Sequence, residues 1–102
     1  MKRVVAELVV VPYTGGPGGL SRFVAMVHEK LKTFDLDIML TPMGTILEGD
    51  VDEVFAAARA VHEIPFTEGA MRVGTTLKID DRRDKPLTMH GKVKAVEEKI
   101  HD

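Results

Sequence analysis

Strand-like and helix-like periods alternate along this chain in an order that few folds can accommodate. Val4 to Pro12 is β-branched and nearly apolar on both faces, the mark of a central strand. Leu20, Phe23, Val24, Val27, Leu31 and Phe34 then recur at the 3.6-residue helical period, with Ser21 placed to cap the start. Ile38 to Thr41 and Thr45 to Glu48 read as short strands joined through Pro42, Met43 and Gly44. That joint turns and cannot continue a ladder, because Pro42 has no amide donor. Gly49 and Asp50 open a second helix, where Asp50 and Glu53 resemble a capping box. Its apolar stripe is Val51, Val54, Phe55, Ala58 and Val61. Pro65 kinks or ends it, and Gly69 is a natural stop. From Met71 onward, Val73, Thr75, Leu77 and Ile79 alternate with Arg72, Gly74, Thr76 and Lys78, as in a long strand with one face on a core. After Pro86, Met89, Val93, Val96 and Ile100 return to helical spacing, which predicts a terminal helix from about Thr88.

The order strand, helix, strand, strand, helix, strand is the ferredoxin-like split βαβ pattern. The expected class is α+β: a βαββαβ unit with an antiparallel sheet in the order 4-1-3-2, set by right-handed crossovers, plus an extra C-terminal helix. At 102 residues the chain is read as a single domain over 1–102. The first strand then lies beside the last, bringing Glu7 near Arg72, Thr76 or Lys78. Both helices cover one sheet face. The other keeps Val5, Val9, Val11, Met39 and Ile46, an apolar patch of the kind that marks an interaction surface. The terminal helix covers part of it, or a second subunit does.

Several classes of activity are disfavoured. A formal charge of -2 argues against a general nucleic-acid partner. The chain has no cysteine, hence no disulfide, thiolate nucleophile or Cys-ligated metal, which fits a reducing cytoplasm. His28, His62, His90 and His101 lack zinc-site spacing, so no metal is expected; His62 beside Glu63 reads as an exposed helix pair. Glu7 interrupts the N-terminal apolar run and no cleavage site follows, so a signal peptide is not expected. The run is also too short to span a bilayer, so no membrane partner is expected. Ser21 has no sequence-level partner for nucleophilic catalysis. The loop Thr14 to Gly19 precedes a helix N-terminus, where anions are favoured, but matches neither the dinucleotide nor the P-loop pattern. It is either a flexible connection or a phosphate site.

The remaining candidates cluster on the uncovered sheet face. The polar row of the last strand is either solvated or a binding surface. Glu7 is the one charge in an otherwise apolar strand. With Glu48 it could form a carboxylate pair for acid/base work. It could equally anchor a ligand amine, or be neutralised by Lys78 and Arg72. Met43 is a core plug or a soft contact for an aromatic ring. In the cluster Asp80 to Lys85, Arg82 and Arg83 either pair with Asp80, Asp81 and Asp84 or bind an anion.

The motif TPMGTILEGD (Thr41 to Asp50), with RVGTTLKIDDRRDKPLTMHGKV (Arg72 to Val93), resembles the UPF0045 family, also called DUF77 or the MTH1187/YkoF-like thiamine-binding proteins. AELVVVP (Ala6 to Pro12) and SRFVA (Ser21 to Ala25) fit as well, so the resemblance covers essentially the whole chain. One departure is the first loop, GGPGG here and usually richer in Ser and Thr. The resemblance implies a small cytoplasmic protein with a ferredoxin-like fold, a homodimer or homotetramer, with no enzymatic activity and no cofactor. It implies thiamine or a thiamine-related pyrimidine as ligand. Glu7 or Glu48 would accept from the exocyclic amine, while Thr41, Thr45 or Thr76 would supply hydroxyls. Val9 and Met43 would cover the ring. Arg72 and Lys78 would suit a phosphorylated vitamin. The alternative is a structural or regulatory oligomer with no vitamin ligand.

Overall fold

The computed structural model describes residues 3–13 and 20–100. The glycine-rich segment from Thr14 to Gly19 lies outside them, as does His101. The elements are β1 (Arg3–Pro12), α1 (Ser21–Leu31), β2 (Leu36–Thr41), β3 (Gly44–Asp50), α2 (Val51–His62), the one-turn α3 (Ile64–Thr67), β4 (Val73–Asp80) and α4 (Met89–Ile100). The four strands form one antiparallel sheet in the order β2-β3-β1-β4, which is the expected 4-1-3-2 order.

The core follows from strand alternation. Val4, Ala6 and Leu8 of β1 point to the helices and are almost fully buried. They meet Leu47 from β3, Val27 and Leu31 from α1, and Val54, Ala57, Ala58 and Val61 from α2. The two alanines let α2 sit close to the sheet. Phe55, expected in this stripe, is 56% exposed; one step from Val54 is 100° around the helix and turns it outward.

Local chemistry sets the element ends. Asp50 caps α2 by accepting from the Asp52 amide at 2.9 Å. The capping box is only half made, because Glu53 accepts from the Asp35 amide instead, at 3.3 Å. Ser21 is not a cap; α1 begins with it, and Leu20 before it makes no side-chain cap. At the end of α3, Gly69 takes φ +98°. Ala70 N–H donates to Pro65 O and Gly69 N–H to Phe66 O, a Schellman closure that favours glycine at the left-handed position. In the β2–β3 hairpin, the Thr41 hydroxyl donates to Gly44 O at 2.8 Å and accepts from the amides of Met43 and Gly44.

The terminal helix is the unusual element. Met89 is buried, yet every later described residue of α4 is exposed. Its apolar stripe, Val93, Val96 and Ile100, stays 52–69% exposed. The helix is tied down at its first turns only. The Glu48 carboxylate accepts from the Met89 amide at 2.8 Å, the Thr88 hydroxyl accepts from the Gly91 amide, and Lys92 pairs with Asp80.

Candidate functional site

The face of the sheet away from α1 and α2 carries Val5, Glu7, Val9 and Val11 from β1. Their partners are Glu48 and Ile46 on β3 and Asp80, Lys78, Thr76 and Gly74 on β4. Glu7 therefore lies between Ile46 and Lys78. Its side chain is half-buried, and among the described residues neither the Glu7 carboxylate nor the Lys78 ammonium makes a side-chain hydrogen bond or ion pair. A cavity of about 390 Å³ opens here, lined by Val5, Glu7, Ile46, Lys78, Asp80 and Lys92. Leaving a partly desolvated carboxylate without a partner is unfavourable, so this position is suited to a donor from outside the chain.

A second cavity of about 290 Å³ lies at the hairpin end, between β1, the β2–β3 turn and the start of α1. Its lining is mostly apolar: Val9, Val11, Leu20, Val24, Leu40 and Met43. Gly44 lines the second cavity and packs against the strand that carries Glu7. A Cβ placed on it would come within 2.9 Å of Val9 Cγ2, 3.2 Å of the Leu8 carbonyl and 3.5 Å of Glu7 Cγ. The strand thus runs close to Glu7 and Val9 only because Gly44 carries no side chain.

The structure sorts the nine expected site residues. Glu7, Val9, Thr76 and Lys78 share the open face; Glu7 and Lys78 line the 390 Å³ cavity, and Val9 lines the neighbouring one. Met43, 81% exposed, flanks the neighbouring one. Thr45 pairs with Leu8 and is buried toward the helices, so it does not reach the open face; strand parity puts it on the other side. The Thr41 hydroxyl is engaged by its own hairpin. Arg72 lies six residues from Lys78, about 20 Å along an extended strand, so one small ligand cannot touch both. Its guanidinium sits over the Tyr13 ring, 4.5 Å from the centroid.

Glu48 is on the open face but serves the fold. One oxygen accepts from Met89 N–H at 2.8 Å, and the other from Arg3 Nη2 at 2.8 Å. Burial alone would push its carboxyl up, but the hydrogen bonds from Arg3 and the Met89 amide hold it below the usual range. The guanidinium of Arg3 is raised in turn by the same hydrogen bond. A Glu7–Glu48 acid/base pair does not fit this arrangement, since both Glu48 oxygens are already occupied.

Tyr13 escapes sequence reasoning. Its ring lies across Gly74, with atoms 3.3 Å from where a Cβ would stand, and the Arg72 guanidinium covers it. The available signal was the glycine in the polar row of β4 with an aromatic at the end of the adjacent strand. His62 is also differently placed than expected. It is half-buried, with Nδ1 2.6 Å from the Thr75 hydroxyl and its ring edge-to-face with Phe66; Glu63 pairs with Arg59 instead. The arginines of the charged turn do pair locally, Arg82 with Asp84 and Arg83 with Asp81. Among the described residues no group of three His, Asp or Glu side chains is placed to hold a metal. No described helix is long and apolar enough to cross a membrane.

Comparison with known proteins places this geometry in a family. The family described as thiamine-binding protein matches residues 6–97. A UPF0045 protein of Staphylococcus xylosus is 44% identical over 103 residues, covering 96% of this chain and 95% of that one. The crystal structure of a hypothetical protein from Methanocaldococcus jannaschii is 39% identical, with a TM-score of 0.88 over 96% of this chain and 99% of that one. At 22% identity, a Thermotoga maritima structure put forward as a thiamine biosynthesis/salvage protein shares the fold, with a TM-score of 0.77 over 92% of this chain and 98% of that one. With the match running from β1 into α4, the chain belongs to the thiamine-binding protein family that includes the UPF0045 proteins.

Proposed function

We propose that this protein is a non-enzymatic, cytoplasmic, homo-oligomeric binder of thiamine or a closely related pyrimidine. The observation that carries this reading is Glu7: a half-buried carboxylate on a central strand, with no partner among the described residues, facing a cavity. An aminopyrimidine supplies the N–H donors that such a carboxylate accepts, and the thiazolium of thiamine supplies the compensating charge. Val9 and Ile46 offer apolar cover for the ring, and the Thr76 hydroxyl lies on the same face beside Val9. Lys78 is the group that would meet a phosphate on a phosphorylated vitamin. Met43 borders the site from the hairpin.

Self-association is supported by a separate observation. The open face is capped at the Glu48 end by the first turn of α4, while the rest of that helix exposes Val93, Val96 and Ile100. A second subunit would bury that stripe and the apolar sheet residues together, and a standard interface removes roughly 800 Å² per partner from water. A structural oligomer without a vitamin ligand would have the same surface. Calorimetric titration separates the two. Saturable heat with thiamine that Glu7→Gln weakens roughly 10- to 150-fold, the scale of a hydrogen bond to a charged group, supports the binder. Flat traces with thiamine, its phosphates and the free pyrimidine refute it.

A further inference from the structure

The charged turn between β4 and α4 is not used by the vitamin reading. It borders a half-open cavity of about 510 Å³ lined by Arg3, Arg82, Arg83 and Lys85, with Asp81 the one carboxylate and Pro86 and Leu87 the apolar lining. A neighbouring space of about 550 Å³ shares Arg82 and Lys85 and adds Lys92 and Asp80. Five cationic side chains thus converge at one end of a chain whose overall formal charge is -2.

The ion pairs in this turn leave donors over. Arg82 gives Nε and Nη2 to Asp84, at 2.6 and 3.0 Å. Arg83 gives Nε and Nη2 to Asp81, the shortest contact at 2.8 Å. A guanidinium has five N–H donors in a planar fork. Each arginine therefore keeps its outer edge, with the two N–H groups of Nη1 outside these pairs. Both pairs join residues two apart in the same exposed turn, so they orient the arginines more than they tie the turn to the body. The Lys85 ammonium makes no hydrogen bond or ion pair among the described residues, although its backbone amide meets the Asp84 carboxylate. A cluster serving stability alone would pair this lysine and bridge between elements. Bridges between elements run from Lys92 to Asp80 and from Arg3 to Glu48 and Asp37, and they leave Lys85 out.

We infer that this turn is a binding site for a phosphate group, carried by a small phosphate ester whose organic part lies on Pro86 and Leu87. A phosphate, like a carboxylate, matches the planar two-donor edge of a guanidinium, but it has further oxygens that can meet the second arginine and the mobile point charge of Lys85 at the same time. The inference stands on Arg82, Arg83 and Lys85, none of which lines the cavity at Glu7; Asp80 and Lys92 border both spaces.

The test uses the full chain at low ionic strength, titrated with inorganic phosphate and with pyrophosphate by calorimetry. Saturable binding is expected. Lys85→Ala and the double variant Arg82→Gln/Arg83→Gln should each weaken it by about tenfold or more, the scale of a lost charge-assisted hydrogen bond. Glu7→Gln should leave it unchanged. Lys94→Ala, an exposed charge on α4 outside both cavities, should also have no effect. Thermal melts of each variant check the fold; Lys85 is exposed and unpaired, so its removal leaves the fold intact. Binding without saturation in the millimolar range would overturn the inference. So would unchanged affinity in the Lys85 and arginine variants, or an equal loss in Lys94→Ala, which would mark diffuse charge attraction.

Discussion

Replacing Glu48 with Ala should release the terminal helix from the sheet. The carboxylate is 6% exposed and holds two elements at once, accepting from the Met89 amide and from Arg3. The buried hydrogen bond from an amide to a charged acceptor contributes about 1.5–3 kcal/mol. Arg3 is 46% exposed, so its pair with Glu48 is screened and adds only about 0.5–1 kcal/mol. The expected loss is therefore about 2–4 kcal/mol, or on the order of 10–30 °C in Tm for a chain of this size. Arg3→Ala should lose no more than about 1 kcal/mol, because the Met89 contact survives. Urea denaturation gives the free energies, and amide exchange shows where the loss falls. Exchange of Met89 and the first turns of α4 should accelerate far more than that of β1 or α2. A loss below about 0.5 kcal/mol, the size of an ordinary surface change, would refute this view of Glu48, as would unchanged protection of α4.

Other outcomes follow from the same structure. On acidification, the depressed carboxyl of Glu48 should contribute fully above the unfolded-state range of about 4.3 and lose its contribution as pH falls through the lower folded value; a pH series of melts should show that loss in the wild type and not in Glu48→Ala. Gly44→Ala should destabilise by roughly 1–3 kcal/mol, since its Cβ would meet the fixed Leu8 carbonyl and Val9; unchanged urea midpoints would contradict the close approach. Light scattering should show a dimer or tetramer at micromolar concentration, and Val96→Asp should shift it toward monomer; a clean wild-type monomer would contradict self-association. Elemental analysis of tag-free protein should find no stoichiometric metal.

The fold was largely legible because its signals are periodic. Alternation in β4 and β-branched density in β1 fixed two strands, and the strand–helix order left one sensible sheet. Glu7 was visible as the single charge in an apolar strand, and strand order narrowed its neighbour to Arg72, Thr76 or Lys78; the register makes it Lys78. What sequence could not show was commitment. The Thr41 hydroxyl closes a hairpin, Thr45 turns inward by one step of parity, and Glu48 meets a helix forty-one residues later in the chain. These depend on register and on long-range contacts, and no local pattern encodes them. Phe55 and the α4 stripe show a related limit. Helical spacing marks an apolar face but does not say whether the chain itself covers it.

Residue-resolved chemical-shift mapping of the labelled protein with thiamine shows whether Glu7 anchors a ligand. Saturable shifts should centre on the amides of Glu7, Val9, Gly44, Ile46, Thr76 and Lys78, and should largely disappear in Glu7→Gln while the rest of the spectrum stays native. Saturable shifts centred elsewhere, or none at all with thiamine, its phosphates and the free pyrimidine, would contradict a ligand site built on Glu7.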